Sequence, residues 1–443
     1  MKKITLGLLL SGLLLLGVLL LTLISGLAGK ESSEERKGEA AFSDKIDIVA
    51  EIKKETVSVK EIKEIETEEI SVSDISFCYR EGRQIEIMFS ALEDAKAESY
   101  YLMRKEAGGE NDWSIRREIT ADTQKAENTA EDAAENTTEN AVEDQVCYME
   151  NGIWHVTDET ETNELRQYIY RVDVKTTDAE EIFQGREVLA SNAYVCIDPG
   201  HFGGKNLVTD EESYGYAEGD YTLKIGLALR EYLKGKYGID SCMTRDSGSI
   251  TLEEYTNEEL DSGHISLRGR YAGEMGCDLF VSLHTNANGE DANGYPTFLQ
   301  PIEANKVVIL ANTVASKRED VISIGNHIGT GLSGVNYDRG LAPTEAFDVV
   351  QGTDLKEWTA EFNDGLDIPG SVRYRLKKDR SGDYYGVLRG ASEAGVPGLI
   401  IEHGMHTVAA LRKEAMTTDL YSAWAEADAD GIAAGWGFLK SEN

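Results

Sequence analysis

The chain has 443 residues, with 80 aspartates and glutamates against 44 lysines and arginines, a formal net charge of −36. That balance argues against nucleic acid as a partner, because binding it requires neutralised phosphates, and it offers no basic field to an anionic polymer. Five cysteines, an odd number, do not make a disulfide framework, and a Cys78–Cys147 pair is left open.

Lys2 and Lys3 precede an uncharged, leucine-rich run of 26 residues from Ile4 to Gly29. A spanning helix needs about 20 apolar residues, more than a signal-peptide core of about 7–15. The segment 1–29 therefore reads as an N-terminal transmembrane anchor, with cleavage near Ala28 as the alternative. The lysines stay inside and the rest of the chain faces outward. Residues 30–70 mix glutamate and lysine with few aromatics, the composition of a solvated stalk.

From 71 to 191 short alternating runs take over. Ile85, Ile87 and Phe89 share one face, Tyr101 and Met103 another, then come Trp113 and Ile115. Tyr168, Tyr170, Val172 and Val174 alternate cleanly. Short strands with polar turns suggest an antiparallel sandwich, and QYIYRVDVKT loosely resembles a strand of fibronectin type III-like modules. The repeat AENT at 126–129 and 134–137 lies in an acidic stretch without a base. Such composition cannot bury a core, so 121–146 reads as a disordered insert.

Residues 192–443 change character again. Val195-Cys196-Ile197 is a buried-strand run that Asp198-Pro199-Gly200 ends, delivering His201 at the sheet edge, where open α/β sheets gather ligands. Glu218 follows seventeen residues later, before a helical pattern from 219 to 235. Asp278–Leu283 delivers His284, and Gly398–Ile401 delivers Glu402. Two imidazoles and a carboxylate suit a catalytic zinc ion, and a second carboxylate beside them suits a general base. Cys196, Cys242 and Cys277 read as small buried thiols. The spacing predicts a helix over 265–275 with Leu267 and Tyr271 inward, a strand over 295–299, a helix over 303–332 and a closing C-terminal helix. Strands alternating with helices indicate an α/β sheet covered on both faces.

IDPGHFGG, YAEGDYTLKIGLAL, Thr244-Arg245-Asp246, LRGRYAG, VSLHTNA and YYGVLRGASEAGVPGLIIEHG occur in the order seen in zinc-dependent N-acetylmuramoyl-L-alanine amidases. The chain resembles that family over roughly residues 193–438. The resemblance implies a mixed central sheet of about six strands with helices on both sides. It implies a Zn2+ cofactor held by His201, Glu218 and His284, with Glu402 as the catalytic glutamate and Arg389 near the substrate groove. The substrate implied is the amide between the muramic acid lactyl group and L-alanine in peptidoglycan. Phe202 interrupts the family's GHGG run, and His406-Thr407-Val408 replaces its customary residues after the glutamate. His403, one residue past Glu402, points to the other strand face and reads as structural, as do His264 and His327. A silent wall-binding or regulatory protein and a zinc peptidase acting within the stem peptide are the rival readings. A regulatory protein partner is left open.

Overall fold

The computed structural model describes residues 72–78, 83–91, 97–109, 112–120, 147–160, 162–177, 182–209, 212–250, 252, 254–289 and 297–441. The expected anchor, stalk and acidic insert lie outside these residues, as does the Cys78 side chain. Among the described residues no helix is long and apolar enough to cross a membrane.

The first region is two antiparallel sheets. One has the order β1 (Val72–Cys78), β2 (Gln84–Ser90), β6 (Ile153–Glu159), β5 (Cys147–Glu150). The other runs β4 (Ser114–Thr120), β3 (Ala97–Glu106), β7 (Gln167–Thr176), β8 (Ile182–Phe183), with β9 (Val188–Ser191) also on β7. Ile85, Ile87, Phe89, Trp154 and Val156 from one sheet meet Tyr100, Leu102, Ile119, Tyr170 and Val172 from the other in one core. Tyr101 and Met103 do share a face of β3, but it is the outer one, with Tyr100 and Leu102 turned to the core, and Ile115 is 60% exposed. A one-residue offset moves every side chain of a strand to the other face, and the bulge in the β3/β4 register lies between Leu102 and Met103.

The second region is built on a mixed sheet. Its order is β11 (Asp240–Met243), β10 (Tyr194–Pro199), β12 (Leu279–Asn286), β17 (Gly398–Met405), β13 (Val308–Ala311), β16 (Gly370–Tyr374) and β14 (Phe347–Asp348). The short β15 (Lys356–Glu357) also pairs with β16. All pairings are parallel except β13 with β17. The sheet thus has eight strands rather than about six; the extra two are two-residue edge segments, too short to leave a periodic signal.

Helix α1 (Glu218–Tyr237) closes on Gly238 in the left-handed conformation, the usual glycine stop. Its buried stripe is Tyr221, Ile225, Leu229 and Leu233. The short α2 (Asn257–Leu260) starts with a Thr256–Glu259 capping box. Helix α3 (Ser266–Glu274) turns Arg268, Gly269 and Ala272 inward, while Leu267 and Tyr271 are half-buried. The stretch expected as one helix over 303–332 is instead strand β13 followed by helix α4 (Glu319–Asp338). Val307–Leu310 is a fully buried apolar run, and so short a run fits either periodicity. Thr297–Leu299 is not a strand, and Tyr295 lies outside the described residues. The short α5 (Ala360–Asp364), then α6 (Gly386–Glu393), α7 (Ala409–Thr417) and α8 (Leu420–Trp436) complete the fold.

Helices α1, α4 and α8 cover one face of the sheet, and α3 with α6 the other. The crossing of α3 and α6 is close enough to demand glycine. A Cβ on Gly269 would lie 2.0 Å from the Val387 carbonyl oxygen, and one on Gly390 1.8 Å from that of Ser266. The RG pairs of LRGRYAG and VLRGA are thus a packing device that seats Arg268 under the sheet edge.

The sandwich docks where the strands of the large sheet begin. Arg83 makes a bidentate pair with Asp278, at 2.6 and 2.9 Å. Gln167 Nε2 donates to the carbonyls of Tyr237 and Leu439, at 2.8 and 2.9 Å. Asp278 precedes β12, whereas His284 lies near its far end. The sandwich therefore sits at the sheet edge opposite the histidines.

Candidate active site

Three polar side chains converge at the carboxyl ends of β10 and β12. The ligand atoms of His201, Glu218 and His284 all lie within 4.8 Å of one another. Glu218 opens α1, His201 follows the end of β10 after Gly200, and His284 lies inside β12, whose ladder runs further than its apolar composition suggested. Glu402 also lies inside its strand, β17, and it is in register with His284 on the neighbouring parallel strand. Side chains in register on adjacent strands point to the same face. A cleft of about 540 Å³ contains all four residues, with Ile265, Phe298, Tyr385, Val387 and His406 among its walls.

The backbone of His201 is forced. Its φ is +59°, a region where few non-glycine residues sit and where strain accompanies function. Arg245 and Arg268 hold it there. Arg268 Nη2 donates to the Pro199 carbonyl at 2.6 Å, and Nη1 reaches that of His201 at 3.4 Å. Arg245 donates to the carbonyls of Pro199, Gly200 and Gly219. Gly200 must be glycine, because a Cβ would lie 2.4 Å from His284 Cε1. Both arginines are buried, and burial, followed by the neighbouring Arg268 charge, lowers Arg245 to about 10.

Beneath this loop Asp198 is fully enclosed and fully paired. It accepts from Thr244 Oγ1 at 2.5 Å, Ser282 Oγ at 2.6 Å and Arg268 Nε at 2.8 Å. Burial alone would raise its pKa, but Arg268 and the two hydroxyls hold it below the usual carboxylate range.

Each member of the cluster is oriented from behind. His201 Nδ1 faces both carboxylate oxygens of Asp261, at 3.0 and 3.1 Å. That partner fixes the proton on Nδ1 and turns Nε2 toward Glu218 Oε2, 3.4 Å away. His284 Nδ1 lies 3.1 Å from Glu218 Oε1. Glu218 also accepts from Asn206 Nδ2 at 2.8 Å and the Thr285 amide at 3.0 Å. Burial pulls the Glu218 carboxyl upward, yet the His201 charge and the hydrogen bonds from His201 and His284 hold it well below its ordinary value. Burial likewise lowers His201, but Glu218 and Asp261 outweigh it and bring the imidazole to about 10. Burial keeps His284 below its ordinary value.

Glu402 is the exception. Its Oε2 is buried without a hydrogen-bond partner. Burial, with the Glu218 carboxylate adding to it, pushes Glu402 well above the carboxylate range.

The donor set fits a divalent zinc-like ion. Ligand atoms about 2.0–2.2 Å from a tetrahedral ion stand about 3.3–3.5 Å apart, close to the 3.1 and 3.4 Å separations from Glu218 to the two imidazoles. A histidine ligand that gives its other N–H to a carboxylate is a recurrent arrangement in such sites, and Asp261 supplies it here. Asp261 and Asn206 carried no signal in the sequence that set them apart from neighbouring acidic and polar loop residues. For Asp261 the nearest clue is the Thr256–Glu259 capping box that starts α2, the short helix it follows.

His403 is fully buried, held by Asp428 at 2.8 Å through Nε2 and facing the His284 carbonyl through Nδ1. His406 lines the cleft and contacts Thr285, whose hydroxyl faces Tyr216 at 2.7 Å. His264 stacks on Tyr255, and His327 is exposed. Arg389 is not in the cleft wall; its Nη1 donates to the Asp383 carbonyl at 3.1 Å.

No curated protein matches the chain. Among solved structures, it is similar to Cwp6 from Clostridium difficile, with 20% identity and a TM-score of 0.36. That match covers 55% of this chain but only 29% of Cwp6. The catalytic domain of CwlV, an N-acetylmuramoyl-L-alanine amidase from Bacillus (Paenibacillus) polymyxa var. colistinus, gives 18% identity and a TM-score of 0.35. Coverage is 55% of this chain and 97% of that one. The CwlD amidase from Clostridioides difficile, solved in complex with the GerS lipoprotein, gives 17% identity and a TM-score of 0.37, covering 55% and 98%. The family model described as N-acetylmuramoyl-L-alanine amidase matches residues 195–434. That span includes more than half of the chain and every residue of the cluster, so the chain belongs to the N-acetylmuramoyl-L-alanine amidase family.

Proposed function

We propose that the chain is a zinc-dependent hydrolase that cuts the amide between N-acetylmuramic acid and L-alanine in peptidoglycan. One observation carries this reading: the unpartnered Glu402 Oε2 shares a cleft with a three-residue donor set suited to zinc. His201, Glu218 and His284 would hold the ion. Zinc in such a site makes water nucleophilic near neutral pH and polarises the scissile carbonyl. Asp261 holds the Nδ1–H of His201, so that Nε2 would face the ion once its proton is displaced, and Asn206 with the Thr285 amide fixes the Glu218 carboxylate. Glu402 takes a proton from the attacking water and passes it to the departing L-alanine nitrogen. A carboxyl whose proton affinity is raised by burial is suited to both transfers.

Mass analysis of peptidoglycan digested by the full chain tests the reading. An amidase releases free stem peptides with a new L-alanine amine and leaves the glycan strands intact. Truncated stems still attached to muramic acid would identify a peptidase instead, and no soluble product would identify a silent binding protein.

The leucine-rich segment 1–29 would hold this activity at the outer face of the cytoplasmic membrane. The full chain is then expected in the membrane fraction after a salt wash, with a chain starting at Lys30 soluble. Recovery of a chain beginning at Gly29 from the medium would show cleavage instead.

A further inference from the structure

A second cluster of metal-competent side chains lies on the same sheet, and the chemistry above does not use it. Cys196 in β10 is in register with Cys242 in β11. Cys277, in the turn that leaves α3, comes back over the start of β10; the next residue's amide donates to the Tyr194 carbonyl at 2.8 Å. The three sulfurs lie within 4.8 Å of one another, and those of Cys242 and Cys277 are 3.5 Å apart. Cys196 is fully buried, Cys277 is 7% exposed, and Cys242 is half-buried on the edge strand.

We propose that Cys196, Cys242 and Cys277 form a three-sulfur site for a thiophilic closed-shell cation of the Zn2+ or Cu+ class, separate from the histidine cluster. Sulfurs about 2.3 Å from a shared ion stand about 3.8–4.0 Å apart in tetrahedral or trigonal geometry, within the span found here. Soft thiolate ligands select this class of ion over Mg2+ or Ca2+. A disulfide fits the topology less well. Cys242 and Cys277 come from opposite sides of β10, their sulfurs are 3.5 Å apart against about 2.05 Å in a disulfide, and a bond between any two of the thiols would leave the third unused. The thiols meet over the middle strand, and a bridging ion needs no sulfur–sulfur bond. The half-buried Cys242 gives the ion its route in from the sheet edge. Binding forms three metal–sulfur bonds and releases one proton from each neutral thiol that coordinates. Tyr194 is within hydrogen-bonding reach of Cys242, the kind of outer contact that steadies a coordinating sulfur.

The test uses the full chain carrying His201→Ala, which disables the histidine site and makes the outcome independent of the amidase reading. Zn2+ alone and Cu+ alone are added in separate experiments, and Cd2+ serves as an optical probe. One tightly held equivalent of Zn2+ or Cu+ is expected, and the arm that saturates first identifies the ion. Cd2+ should give a thiolate-to-metal charge-transfer band that saturates at one equivalent. Adding Cys242→Ser, or independently Cys277→Ser, should abolish the band and the bound equivalent while circular dichroism stays unchanged. Cys78→Ser and Cys147→Ser should leave both in place. Absence of the band in the His201→Ala chain overturns the site. So does its survival in both the Cys242 and Cys277 variants, or a mass deficit of one hydrogen pair that marks a disulfide between them.

Discussion

Two buried carboxylates a short distance apart in the fold have opposite surroundings. Asp198, at the end of β10, is enclosed by Arg268, Ser282 and Thr244 and held below its ordinary pKa. Glu402, in β17, is nearly as well buried but has an oxygen with no partner and is pushed well above that range. The same chemical group, on the same sheet and near the same cleft, is in one case a fully satisfied ion and in the other a held proton acceptor. Burial therefore does not by itself mark a functional carboxylate; the state of its partners does. Structural ion networks hide their charges, whereas reactive sites leave one exposed to a ligand.

Breaking the Asp198 side of the contrast should give the largest effect. Arg268→Ala strands a buried carboxylate and frees the carbonyls of Pro199 and His201. Removing one member of a buried pair costs about 3–5 kcal/mol, so a large drop in the denaturation midpoint is expected, with activity lost alongside it. A normal midpoint would show that Asp198 finds other compensation. Glu402→Gln should do the reverse. It removes no hydrogen bond to Oε2, so the midpoint should hold or rise. Turnover should fall by about 100-fold or more, the range for losing a general acid–base, with KM and zinc content little changed. Equal destabilisation in the two variants would erase the contrast, and zinc loss in Glu402→Gln would make Glu402 a ligand.

A third buried charge sharpens the comparison from the cationic side. Lys306 is 7% exposed, and its Nζ donates to the carbonyls of Phe362 and Gly365 rather than to a carboxylate. Burial lowers it from 10.5 to about 8. The unfolded chain therefore binds this proton more tightly than the folded one, and stability from this group rises with pH between about 8 and 10.5. Relative to Lys306→Met, the wild-type melting temperature should climb across that window. A difference that is flat with pH would show that the carbonyls hold the ammonium charged.

Much of the cluster could be read in the sequence because apolar runs bring His201, His284 and Glu402 to the sheet edge, and a helix pattern follows Glu218. Asp261 could not be, because nothing in Asn257–Asp261 distinguishes a ligand-orienting aspartate from helix-capping acids. Strand β13 was hidden because Val307–Leu310 satisfies both helical and extended spacing, and only its antiparallel place beside β17 decides between them. The helical spacing over 265–275 places Leu267 inward. The glycine contact of α3 with α6 rotates that helix so that Arg268, not the leucine, faces the sheet.

The smallest effect is expected at Arg389, whose motif suggested a place beside the substrate. Its guanidinium is committed to the Asp383 and Tyr384 carbonyls, at 3.1 and 3.4 Å. Asp383 in turn accepts from the Thr313 amide and from Ser392, so Arg389 steadies a loop that leads into Tyr385 in the cleft wall. A half-buried hydrogen bond to a carbonyl contributes about 1 kcal/mol. Arg389→Ala should therefore lower the melting temperature slightly and reduce turnover by less than about tenfold. Arg389→Lys should restore part of the stability, because one ammonium can still reach the Asp383 carbonyl. A substrate contact predicts another pattern: KM raised about tenfold or more in both variants, one tenfold step being about 1.4 kcal/mol of binding, with the melting temperature unchanged. That result would move Arg389 from the loop to the groove.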